Sequence, residues 1–186
     1  MVFYATYNSP LGSIVIESDG ETITGLRFVD EDTSVGKTDS NEASSTMPVI
    51  AATIRWLDDY FSGKQTENAT IYTRTENGTM GNQTDVQIVV KPKGTMFQQR
   101  IWQVLLTIPY GDTVGYGEIA KMVGCRSAQA VGQAVGANPI AILIPCHRVI
   151  AANGKLGGYA YGEERKRRLL AWEQQSKFKT SVGKSQ

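Results

Sequence analysis

Residues 115–137, GYGEIAKMVGCRSAQAVGQAVGA, carry the pattern that organises the rest of the chain. Gly117–Val123 has the composition and spacing of a helix, Gly124-Cys125-Arg126-Ser127 reads as a turn, and Ala128–Ala137 as a further helix. Helix, short glycine-containing turn, helix is the helix-turn-helix pattern. The second of these helices is built from Ala, Gly, Val and Gln. Its small residues let another backbone come close, either that of a neighbouring helix or that of a nucleic acid.

Upstream, Thr95 is placed to cap a helix whose apolar stripe is Phe97, Ile101, Leu105 and Ile108, ended by Pro109-Tyr110-Gly111. The first thirty residues read as a β-meander: Phe3–Tyr7, Ser13–Glu17 and Thr22–Phe28, joined at Asn8–Gly12 and Asp19-Gly20. Asp30–Thr46 is polar and predicts a loop. Ile50, Ile54, Leu57 and Phe61 recur at helical spacing, with Pro48 suited to the first turn and Gly63 to the stop. Lys64–Gln83, dense in Thr, Asn and Gly, predicts a long surface loop, and Val86–Val90 a short strand or linker. Downstream, Glu163–Gln175 predicts a last helix with Leu169, Leu170 and Trp172 facing the core, and Ser176–Gln186 a frayed tail.

The 186 residues suffice for a sizeable core in one or two small domains. The net charge of +1 conceals a polarity. Residues 1–90 carry thirteen acidic and five basic side chains; residues 91–186 carry five acidic and fourteen basic. Such asymmetry fits a nucleic-acid face on the second half. The longest apolar run, Pro139 to Pro145, is too short to span a bilayer, and the N-terminus lacks the pattern of a secretory signal, so a cytoplasmic protein is expected. Two cysteines and one histidine, two of the three adjacent, do not make a four-ligand zinc site or a disulfide framework. No metal and no cofactor are expected.

The chemistry concentrates at Cys146-His147. A thiol near neutral pH is only a few per cent ionised and needs a base or a positive dipole to become a nucleophile. Adjacent side chains point apart, so His147 would reach the sulfur through a bridging water, with Glu173 orienting and charge-balancing the imidazole. A Cys-His pair is also compatible with an inert core thiol beside a satisfied histidine.

The surrounding residues resemble the O6-alkylguanine-DNA alkyltransferases, the methylated-DNA–protein-cysteine methyltransferases. The likeness is carried by Asn138-Pro139, Ile142–Ile150 with Pro145-Cys146-His147-Arg148, Asn153-Gly154, Gly157-Gly158-Tyr159, Lys166, Leu169-Leu170 and Glu173, and upstream by GTMFQQRIWQVLLTIPYGDTVGYGEIA. It is looser through SPLGSIVIE and WLDDYFSGK. The resemblance implies an α+β fold. Residues 1–90 would form a ribonuclease H-like α/β domain with a small antiparallel sheet. Residues 91–176 would form a mainly helical, winged-helix-like domain, followed by a flexible tail over 177–186.

It further implies DNA repair by direct reversal: a single, irreversible transfer of an alkyl group from O6-alkylguanine, and from O4-alkylthymine, to Cys146. His147 would take the thiol proton, Glu173 would hold His147, Asn138 would brace the loop, and Tyr116 would donate to the guanine ring and help rotate the phosphate. Tyr159 would wall the pocket, and the backbone at Val149 and Ala160 would hold the base edge. Arg126, Ser127, Ala128, Gln129, Gly132 and Ala137 would meet the DNA, duplex and bound through its minor groove by a monomer with little sequence preference. The pattern departs at Gln129, where relatives carry an arginine that replaces the flipped base, with Arg126 just upstream as a partial substitute. It departs again at Tyr161, where glycine is common and a ring would narrow the pocket. Two rivals are a thiol hydrolase using Cys146 and His147, and a DNA-binding damage-recognition or regulatory module without transfer chemistry.

Overall fold

The computed structural model describes residues 1–30, 47–64, 72–73 and 88–183. Three seven-residue strands, β1 (Phe3–Ser9), β2 (Gly12–Ser18) and β3 (Ile23–Val29), form the expected meander. The first turn closes because Gly12 takes a φ of +117° and Ser9 Oγ donates to its carbonyl at 2.6 Å. At the second, the Asp19 carboxylate accepts from the backbone N–H groups of Glu21 and Thr22.

The sheet is mixed rather than antiparallel. β5 (Val89–Val90) pairs parallel to β3, and β4 (Tyr72–Thr73) parallel to β5, giving the order β1-β2-β3-β5-β4. These additions are two residues long, too short for any alternation to show in sequence. β4 also falls within the stretch expected to be loop; its two residues join the sheet edge, and residues 65–71 and 74–83 lie outside the described residues. So do residues 31–46 of the other expected loop. Helix α1 (Pro48–Phe61) lies on β1 and β2 and buries Ile50, Leu57, Tyr60 and Phe61.

In the second half, Thr95 caps α2 (Met96–Leu105) through a reciprocal pair with Gln98. The helix-turn-helix is α3 (Tyr116–Met122) and α4 (Ala128–Gly136), the latter capped by Ser127. Trp102 Nε1 donates to the Ala134 carbonyl at 2.9 Å, which holds α4 on α2. A parallel pair, β6 (Val114–Gly115) and β7 (Val149–Ile150), ties the entry of α3 to the exit of the Cys146 turn. The last helix, α5, runs Glu163–Gly183, past the expected end at Gln175. No proline interrupts it, Ser176 Oγ bonds the Trp172 carbonyl, and Lys177 Nζ bonds Asp112 at 2.5 Å. Residues 176–183, expected to fray, are therefore helical.

One hydrophobic core spans both halves, from Ala5 to Leu169. Leu26 of β3 brackets the segment before Cys146: its N–H donates to Pro139 O at 2.9 Å and its carbonyl accepts from Ala141 N–H at 2.8 Å. The basic run on α5 also joins the halves. Arg165 bonds Leu11 O and Asp30, and Arg168 bonds Pro10 O. Arg167 pairs with Glu163 and Glu164, while Lys166 is fully buried. Part of the positive charge in residues 91–186 thus holds the fold together.

Candidate active site

Asn138 begins the loop that carries the thiol. Its side-chain amide donates to the carbonyls of Ile140 and Ile144, at 3.3 and 2.8 Å, and its Oδ1 accepts from Ile140 N–H at 3.0 Å. With β3 on the other side, this fixes a bend in which Ile142 takes a φ of +65°. A β-branched residue in the left-handed region costs on the order of 1–3 kcal/mol, so surrounding contacts must impose it. The loop ends in a tight 3-10 turn, Cys146–Arg148.

Cys146 is 5 % exposed and contributes to the lining of a cavity of about 760 Å³. Tyr116, Gln129, Gly132, Asn138, Tyr159 and Ala160 also line it, with Ala128 at the α4 end. Gly132 and Gly157 pass close to the Tyr116 ring. A Cβ at Gly157 would stand 3.3 Å from its hydroxyl, and the φ of +69° there favours glycine in any case. Burial pushes the Cys146 thiol pKa up, while the Asn138 amide, the Lys166 charge and local backbone N–H groups pull it down. The thiol at rest is neutral.

Behind the thiol, fully buried His147 bonds Glu173 Oε1 through Nε2 at 2.8 Å. Oε1 belongs to an ionised carboxylate and can only accept, so Nε2 carries the proton and Nδ1 is the basic nitrogen. Nδ1 is buried without a hydrogen-bond partner among the described residues. Glu173 is the hub. Arg148 reaches it twice, Nε to Oε2 and Nη2 to Oε1, both at 2.9 Å. Gly111 N–H donates to Oε2 at 2.9 Å and Tyr60 hydroxyl to Oε1 at 2.8 Å. Burial opposes its ionisation, but His147 and Arg148 outweigh burial and hold Glu173 well below the usual carboxylate range. Burial lowers the His147 pKa, only partly offset by Glu173, so the imidazole is neutral at pH 7.

The structure therefore brings Cys146, His147, Glu173, Asn138, Tyr116, Tyr159 and Ala160 together in space. Two expected pocket residues lie outside the cavity lining. Val149 is fully buried and its backbone pairs with Val114 in the β6–β7 ladder. Tyr161 turns edge-on to Tyr159 at 5.5 Å and to Phe28 at 5.5 Å, so it braces the wall rather than narrowing the space. Arg126 and Ser127 are exposed in the turn before α4, and Ala137 is exposed at its end.

Sequence reasoning missed Arg148, Lys166, Gly111 and Tyr60. Arg148 could have been found: it sits in the Cys-His-Arg run, and a buried guanidinium demands a carboxylate. Lys166 donates to Gly158 O at 3.1 Å, and burial depresses its pKa. Nothing in sequence marks the Tyr60 hydroxyl, because Tyr60 occupies an ordinary core position on α1.

Residues 2–71 match the family model for the 6-O-methylguanine DNA methyltransferase ribonuclease-like domain, and residues 96–175 that for the DNA binding domain of the same name. A methylated-DNA–protein-cysteine methyltransferase of Mycobacterium bovis is 40 % identical over 93 % of this chain and 93 % of its own. The crystal structure of Mycobacterium tuberculosis O6-methylguanine methyltransferase superposes with a TM-score of 0.73 at 38 % identity, covering 95 % of this chain and 94 % of that one. A second structure from that organism, a complex with DNA, gives a TM-score of 0.70 at 36 % identity over 94 % of each chain. With two models of one family matching residues 2–71 and 96–175, and a relative 40 % identical over 93 % of the chain, the chain belongs to the 6-O-methylguanine DNA methyltransferase family.

Proposed function

We propose that this protein repairs alkylated DNA by direct reversal, with Cys146 as the acceptor of an alkyl group from O6-alkylguanine and from O4-alkylthymine. The observation that carries the reading is the thiol on a cavity with ample room for a nucleobase, with the His147–Glu173–Arg148 cluster buried behind it. His147 Nδ1 takes the thiol proton through a water. The sulfur–carbon bond forms as the carbon–O6 bond breaks, and the bonding electrons pass into the guanine ring. The Tyr116 hydroxyl, held protonated by burial and by the nearby Cys146, donates to the ring nitrogen where charge builds. The proton given up by the thiol is returned to the guanine. The thioether has no ready hydrolysis route, so each chain acts once, without a cofactor.

The alkylated oxygen is shielded in the duplex, so the base rotates into the cavity at an unstacking cost of a few kcal/mol. The DNA complex of the mycobacterial relative supports DNA as the partner. The small residues of α4 suit the minor groove, with phosphate contacts that give little sequence preference. The protein acts as a monomer in the cytoplasm; no helix among the described residues is long and apolar enough to cross a membrane.

Intact mass after mixing with DNA carrying O6-methylguanine tests the reading. One added methylene unit per chain is expected, absent in Cys146→Ala. No gain, or many substrates consumed per chain, refutes it. Gln129 lies on the cavity at the start of α4, where an arginine would add charge against the phosphates. Gln129→Arg is expected to tighten duplex binding roughly fivefold to tenfold at 0.1 M salt. Unchanged or weaker affinity in an anisotropy titration counts against Gln129 standing at the DNA interface.

A further inference from the structure

Glu173 Oε1 serves three donors: His147 Nε2, Arg148 Nη2 and the Tyr60 hydroxyl. His147 and Arg148 come from the Cys146 turn; Tyr60 comes from α1, in the other half of the chain. The Tyr60 ring is fully buried and clamped by Trp56, Phe61 and Tyr110, with centroids 5.0–5.7 Å away. Trp172, one residue before Glu173, donates Nε1 to the Tyr60 carbonyl at 3.2 Å. Both the backbone and the hydroxyl of Tyr60 are thus locked to the segment that carries the carboxylate.

We propose that Tyr60 is a positioning residue for alkyl transfer: by donating to the same carboxylate oxygen as His147, it sets how firmly Glu173 holds the imidazole. The inference rests on the reading of Cys146 as acceptor and His147 as its base. A carboxylate oxygen spreads its negative charge over its donors. With the hydroxyl present, less of that charge bears on Nε2–H, and His147 stays neutral and ready to accept. Burial and Glu173 keep the Tyr60 hydroxyl protonated, so it remains a donor through neutral pH. The other groups facing the imidazole are Glu173 and Lys166 from α5, and Cys146 and Arg148 from its own turn. Tyr110, from the loop after α2, faces Glu173 and Arg148. Tyr60→Phe changes none of these and keeps the ring in its packing.

His147 is the one histidine of the chain, so its C2–H proton resonance reports its titration without assignment. In Tyr60→Phe, that titration and the acid limb of the single-turnover methyl-transfer rate are both expected to move up by about one pH unit. Site-specific 3-fluorotyrosine at position 60, a stronger donor that keeps ring and hydroxyl, is expected to move both down. Tyr7→Phe removes a phenol hydroxyl bonded to Asp58, away from the relay, and is expected to move neither. An unmoved His147 titration in Tyr60→Phe, or slower transfer at every pH with the limb in place, overturns the proposal. If the unaltered protein transfers no methyl group, the acceptor reading fails, while the histidine titration still decides the role of Tyr60.

Discussion

Glu173→Gln is expected to lower stability by about 3–5 kcal/mol, the cost of leaving a buried charge without its partner. It is also expected to slow methyl transfer at least about 100-fold, the lower end of what a positioned base contributes. The carboxylate accepts from Arg148, His147, Tyr60 and Gly111, all of them donors. A glutamine has the same shape but turns an NH2 group toward some of those donors, and it leaves the Arg148 guanidinium without an anion at 8 % residue exposure. Urea unfolding and single-turnover rates measure the two effects. Near-normal stability would show that Glu173 is not the counter-charge of the buried cluster.

The same cluster sets a pH dependence. Glu173 titrates lower in the folded protein than in the unfolded chain, so its stabilisation is complete above about pH 4.3 and is lost as pH falls. His147 is also lowered, so the unfolded chain takes up a proton first as pH falls through about 6.5. Both act in one direction. Stability is expected to decline below about pH 6.5 and again below about 4.3, with the second decline shallower in Glu173→Gln.

Asn138→Ala carries the second large effect. It removes one acceptor and a doubly used donor: the buried Ile140 N–H loses its acceptor, and the Ile140 and Ile144 carbonyls keep only their bonds from the Ile144 and Cys146 N–H groups. The unpaired buried N–H costs about 1–3 kcal/mol and each of the two lost amide bonds about 1 kcal/mol, so a loss of roughly 3 kcal/mol is expected after local relaxation. The Asn138 amide also favours the Cys146 thiolate, so its loss leaves the thiol pKa higher. Transfer is expected to fall about tenfold or more at pH 7, with partial recovery at higher pH. A thermal shift under about 2 °C, with an unaltered rate, would mean the bend is held by Leu26 and the loop's own backbone bonds without Asn138.

Much of the second half was legible in the chain. Thr95 announced the start of α2, Gly124–Ser127 the turn of the helix-turn-helix, and the residues around Cys146 the family. These signals are local: caps, turns and short motifs act over a few residues. The meander was legible because β1 to β3 are long enough to alternate. The parallel pairings of β4 and β5 were not, because two residues hold no pattern and their partners are distant in sequence. The charge asymmetry was misleading in part, since Arg148, Arg165, Lys166 and Arg168 turn inward or bind backbone carbonyls.

The sequence by itself singled out Cys146, His147 and Glu173 as candidates, because the residues around the thiol carry the family resemblance within short motifs. Only the tertiary structure decided how that carboxylate is shared. Five hydrogen bonds converge on Glu173 from α1, the loop after α2 and the Cys146 turn. Convergence of that kind depends on how the two halves pack, and Tyr60, 113 positions away from Glu173, leaves no mark of it in the chain.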